Sequence, residues 1–158
     1  MTDTVERNTI MIPIDGSEHS ERAFHWYVEN MKKDNDLVIF LHVIEPAYSS
    51  TGFGLAMEAP SIDMNKILQE SFCSGRRYGE KFLKMAKESN VEAKAFLHLD
   101  SKPGRAILES AKTHKVKCLI VGNRGLGSVG RTVLGSVSDN LVHNSLIPVI
   151  VVPPKKGN

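Results

Sequence analysis

The chain has 158 residues, the length of one domain of about 150, and its 41% hydrophobic and 24% charged content is that of an ordinary globular protein with a sizeable core. Twenty Lys and Arg against eighteen Asp and Glu leave a net charge of +2, which argues against a dedicated nucleic-acid binder. No run approaches the roughly 18 apolar residues of a membrane span, the polar opening Met1–Asn8 does not read as a signal peptide, and Cys73 and Cys118 form neither a disulfide framework nor a CxxC pair; the expected setting is the reducing cytoplasm.

Thr9–Ile14 is a short apolar run and reads as a first strand, leading straight into Asp15-Gly16-Ser17. The polar stretch Ser17–Ser20 then opens a helix whose apolar face is Ala23, Phe24, Tyr27, Val28 and Met31, with His25 among them in a structural role. Leu37–Ile44 is an unbroken apolar run, as expected of a strand covered on both faces. Glu45–Pro60 is the one long irregular connection, and its role stays open. A helix over about 61–89 carries the stripe Leu68, Phe72, Tyr78 and Phe82, expected to face a sheet, and Cys73, expected to be a buried small hydrophobe.

Val91–Leu99 alternates and reads as a half-exposed edge strand. Pro103 suits the first turn of a helix continued by Ala106, Ile107 and Ala111. Val116–Val121 is a fourth strand, a helix with Val137, Leu141 and Val142 starts at Gly135 or Ser136, and the β-branched run Ile147–Val152 is a fifth strand. Strict strand–helix alternation predicts a Rossmann-like α/β fold: an open five-stranded parallel sheet with helices on both faces and right-handed crossovers.

In such a sheet, ligands bind beyond the carboxyl ends of the strands. Two loops there stand out. One is Asp15-Gly16-Ser17. The other starts at Gly122 and reaches Gly135-Ser136-Val137-Ser138; five of the twelve glycines fall between Gly122 and Gly135. Glycine lets backbone N–H groups approach an anion, and a helix starting at Ser136 adds its N-terminal partial charge and a hydroxyl. The pattern is that of a phosphate cradle, although glycines also serve merely to let a loop wind tightly. Gly125-Leu-Gly127-Ser-Val-Gly130 spells G-x-G-x-x-G, but it follows the fourth strand and lacks an acid about 20 residues on, so a dinucleotide site is not expected. Gly130–Ser136 approximates a P-loop with Ser136 where the lysine belongs, which disfavours a lysine-dependent NTPase. The six histidines show no metal spacing, and there is no G-x-S-x-G elbow.

Gly122-x2-Gly125-x9-Gly135-Ser136 resembles the G-2x-G-9x-G-(S/T) signature of the ATP-binding branch of the universal stress protein family. Ile12–Ser20, the strand end His42-Val43-Ile44 and the closing Pro148–Val152 are similar to that family as well, so the resemblance runs from about residue 8 to 153 of a single domain spanning 1–158. It implies strand order 3-2-1-4-5, which sets the two loops around one pocket. It further implies that Pro13 and Ile14 line the adenosine end, Asp15 holds the ribose hydroxyls and Val43 holds adenine through its backbone. Val121, Gly122, Arg124 and Gly125 pass under ribose and phosphates. Gly135, Ser136, Val137 and Ser138 grip the phosphates, with Mg²⁺ riding on them. Each role competes with a plainer one: Asp15 as a helix cap, Val43 as core, Ser136 and Ser138 as caps, Arg124 and Arg131 as surface charges.

The function implied is an ATP-binding stress-response module, a nucleotide-dependent sensor or regulator. The alternatives are a slow ATP hydrolase and a dimeric interaction protein without nucleotide. Neither loop holds a candidate base, so at most slow hydrolysis is expected. The strand Ile147–Val152, apolar on both faces and at a sheet edge in that order, predicts a homodimer joined through it.

Overall fold

The computed structural model describes residues 7–46, 63–123 and 134–155. Nine elements follow one another: β1 (Asn8–Pro13), α1 (Glu18–Asn30), β2 (Asp36–Ile44), α2 (Met64–Glu88), β3 (Glu92–Leu99), α3 (Pro103–Thr113), β4 (Cys118–Gly122), α4 (Ser136–Asn144) and β5 (Val149–Val152). The strands form one sheet in the order β3-β2-β1-β4-β5, and every pair is parallel. This is the Rossmann-like order that the family resemblance implies.

The unbroken apolar runs of β1 and β2 split by the two-residue period of a strand into two cores. Ile10, Ile12, Val38 and Phe40 face Phe24, Tyr27 and Phe82 of α1 and α2. Met11, Ile39 and Leu41 face Ile107, Ala111 and Leu141 of α3 and α4. At the sheet edge, β3 alternates between exposed and half-buried residues from Glu92 to Phe96, as its sequence predicts; beyond that the phase slips, and Leu97 and Leu99 are exposed while His98 is half-buried.

Pro103 is in the first turn of α3, and Gly135 is the residue preceding α4. At the amino ends of β1 and β2, Asp36 is only 4% exposed, and its carboxylate accepts from Asn8 Nδ2 at 2.8 Å, Tyr27 Oη at 2.8 Å and the Lys33 N–H at 2.9 Å. Three donors offset the cost of burying this carboxylate. Burial, reinforced by the hydrogen bond to Asp36, holds the Tyr27 phenol protonated far above the ordinary tyrosine range.

Three expectations about side chains need correction. The stripe on α2 does not face the sheet along its whole length: burial begins at Gly75 and continues through Gly79, Phe82 and Ala86, whereas Ile67 and Phe72 are exposed. The reason is close approach. A Cβ on Gly75 would lie 2.8 Å from the side chains of His42 and Leu97, and one on Gly79 3.2 Å from the Ala95 Cβ. The glycines set the line of contact, and the residues before them project past the carboxyl end of β2, where Ile67 and Ser71 line a pocket with Ile44 and Glu45. Cys73 lies in that projecting part and is exposed, not buried. His25 is exposed too, because the helical period turns it outward when Ala23, Phe24 and Tyr27 turn inward. Cys118 is buried as expected, and burial pushes its thiol up.

Candidate functional site

At the carboxyl ends of the central strands lies a cavity of about 360 Å³. The end of β1 supplies Pro13, Ile14 and Asp15, and the start of α1 supplies Ser17, His19 and Ser20. Leu41, His42 and Val43 come from β2, followed by Glu45; Pro103 and Ile107 come from α3. Val121 and Gly122 close β4, and Gly135, Ser136, Val137 and Ser138 open α4. The topology explains the convergence. Because β1 lies between β2 and β4, the turns leaving these strands share one rim of the sheet. Every candidate site residue among the described ones lines this cavity; Arg124 and Gly125, with Arg131, lie outside the described residues.

The turn after β1 is tightly built. Gly16 has φ +75°, and a Cβ there would fall 2.4 Å from the ring of Tyr78, which α2 lays against the turn. Asp15 is exposed, and its Oδ1 accepts from the Ser17 N–H at 3.0 Å and from the Ser17 hydroxyl. Ser17 itself is the residue preceding α1. Asp15 therefore shapes the approach to the helix from two residues upstream, so the plainer role is present in part.

Gly122 and Gly135 differ. A Cβ on Gly122 would sit 2.1 Å from the His19 carbonyl oxygen, so the end of β4 can hold only glycine against the first turn of α1. Gly135 has φ −66°, an angle open to any residue, and a Cβ there meets nothing within 4 Å among the described residues. Beyond it, the first intrahelical bond of α4 runs from the Asp139 N–H to the Gly135 carbonyl at 2.9 Å. The N–H groups of Ser136, Val137 and Ser138 precede that ladder and carry the partial positive charge of the helix start. The side chains of Val43 and Val137 pack on the α3–α4 core.

Several lining residues escape sequence reasoning. His42 donates from Nδ1 to the Ile14 carbonyl at 2.7 Å and meets the edge of the Tyr78 ring at 5.3 Å between centroids. His19 pairs through Nδ1 with Arg22 Nη2 at 3.2 Å, and the same Nη2 donates to the Asn123 carbonyl at 2.6 Å. The spacing of His19 and Arg22, three apart on one helix, is the only sequence signal for any of this. Among the described residues no group of three or more His, Cys, Asp or Glu is arranged to hold a metal, and no helix is long and apolar enough to cross a membrane.

A model of the universal stress protein family matches residues 6–153. The universal stress protein YxiE of Bacillus subtilis is 28% identical over 146 residues, covering 92% of this chain and 98% of that one. The structure of a universal stress protein family protein of Arabidopsis thaliana with AMP bound superposes with a TM-score of 0.69 at 22% identity, over 94% of this chain and 93% of that one. A universal stress protein in complex with cAMP gives 0.66, also at 22%, over 92% and 96%. At these identities the two structures establish the shared fold.

Proposed function

The chain belongs to the universal stress protein family, and on that footing we propose that its cavity binds an adenine nucleotide, ATP carrying Mg²⁺, and that nucleotide occupancy makes it a sensor or regulator in stress responses. The observation that carries this reading is Gly135. Its backbone angle is ordinary and its surroundings are open, so among the described residues nothing in the fold requires a glycine there. A phosphate seated on the first N–H groups of α4 does require one, because a side chain would share its space. That two relatives of the same fold hold AMP and cAMP supports the same chemistry.

In this reading Pro13 and Ile14 flank the adenosine, the Val43 backbone meets adenine and the Asp15 carboxylate accepts from the ribose hydroxyls. Val121 and Gly122, continuing into Arg124 and Gly125, run beneath ribose and phosphates. Gly135, Ser136, Val137 and Ser138 bind the phosphates through N–H groups and hydroxyls. The lining offers Mg²⁺ no cluster of carboxylates among the described residues, which suits a cation held by phosphate oxygens and water. The reading carries slow hydrolysis at most, far below a typical enzyme's roughly 10 turnovers per second. It also carries a homodimer through β5, whose edge residues Val149, Ile150 and Val151 are all half-buried in one protomer. The test is to denature purified protein and identify the nucleotide released, then to titrate the emptied protein with Mg-ATP. Adenine nucleotide is expected in both; a protein that releases none and takes up none overturns the reading.

A further inference from the structure

We propose that His19 is a phosphate-recognising residue of this cavity, presented by Arg22 as a fixed Nε2–H donor; the inference rests on the nucleotide reading above and adds a contact which that reading does not contain. His19 stands in the first turn of α1, half-buried, and lines the cavity. Its backbone is seated by Gly122: the His19 carbonyl packs so closely on the end of β4 that no Cβ fits between them. Residue 19 is thereby held beside the strand end that leads into the glycine-rich loop.

The ring is held as well. Arg22 Nη2 lies 3.2 Å from His19 Nδ1. A guanidinium can only donate, so Nδ1 accepts and the neutral ring carries its proton on Nε2. Arg22 cannot drift, because the same Nη2 donates to the Asn123 carbonyl at 2.6 Å. Among the described residues no acceptor is paired with Nε2. On this assignment the cavity that His19 lines gains an N–H donor whose backbone is seated by Gly122 and whose ring is paired with Arg22, backed by a guanidinium charge. Such a donor favours an anionic oxygen over a neutral one. On the adenosine, Asp15 is an acceptor and meets hydroxyl groups; His19 is its complement at the phosphate end. Arg22 is then a positioning residue, setting the tautomer without touching the ligand.

Two measurements test this. The first needs no nucleotide: long-range ¹H–¹⁵N NMR of the imidazoles at neutral pH. His19 is expected as the Nε2–H tautomer, relaxing to a mixture in Arg22→Met. An Nδ1–H tautomer or an imidazolium in the parent overturns the proposal. The second is calorimetric titration with ATP and with adenosine. His19→Ala should weaken ATP by about tenfold or more and leave adenosine unchanged. His19→Gln, whose amide N–H reaches near the place of Nε2, should recover most of the loss. Unchanged ATP affinity in His19→Ala, or equal losses for ATP and adenosine, overturns the His19 contact while leaving the nucleotide reading intact. A parent protein that binds neither ligand rejects the nucleotide reading and this contact with it, whatever the tautomer.

Discussion

Gly122 at the end of β4 and Gly135 just before α4 belong to one spacing pattern and line one cavity, but among the described residues the fold demands only the first. Gly122 has the His19 carbonyl where its Cβ would be, whereas Gly135 has open space among the described residues and an unstrained backbone. In the nucleotide reading, the sequence signature mixes two kinds of requirement that spacing alone cannot separate: residues without which the frame does not close, and residues without which the frame closes but holds nothing.

The largest effect expected is on the frame side. Gly122→Ala forces the backbone of α1 away from β4 and should cost about 3 kcal/mol or more, read as a lower denaturant midpoint or loss of soluble protein. Parent-like stability would erase the contrast. Asp15 stands between the two kinds. Asp15→Ala removes the acceptor of the turn to Ser17 and, in the nucleotide reading, the ribose partner, for which about 1.5–3 kcal/mol of ATP affinity is expected to go. The sharper readout is ATP modified at the 2′ and 3′ positions: Asp15→Ala should abolish the preference for unmodified ribose, and a preference left intact would assign Asp15 to the turn alone. Gly135→Val belongs to the ligand side. Its unfolding free energy should stay within about 0.5 kcal/mol of the parent, while ATP affinity falls roughly tenfold, about 1.4 kcal/mol. Undiminished binding in a folded Gly135→Val protein would place the phosphates elsewhere. Ile150→Lys should leave ATP affinity untouched, since β5 lies apart from the cavity lining, and should turn the expected dimer into monomer in sedimentation. A parent that sediments as a monomer at tens of micromolar removes the dimer from the reading.

How much of this was legible beforehand follows the range of the interactions. Element order, the alternation of β3 up to Phe96, Pro103 in the first turn of α3 and the start of α4 are local or periodic, and the sequence states them directly. Strand order needed the family resemblance, because five alternating strands fit more than one arrangement. What escaped depends on contacts between distant residues. Nothing near Gly75 and Gly79 says that β2 and β3 press against them, so Phe72 and Cys73 read as inward residues. Nothing near Gly16 announces a tyrosine 62 positions later lying on it. His42 sits inside Leu37–Ile44, which reads as an unbroken apolar run, and its polar role emerges only with the Ile14 carbonyl 2.7 Å away.

The buried carboxylate of Asp36 has a consequence for how this molecule can change over time. With Asn8, Tyr27 and Lys33 it forms a polar anchor at the amino ends of β1 and β2, the opposite rim from the cavity. Rigidity is thus supplied at one rim and, in the nucleotide reading, recognition at the other. Replacements among the lining residues that only the ligand needs can accumulate without loosening the anchor, so new ligand preferences are reachable by single steps through folded intermediates. A replacement at Asp36 has no such freedom: it would strand the Tyr27 hydroxyl in the core and reduce the margin of stability that every later change at the other rim draws on.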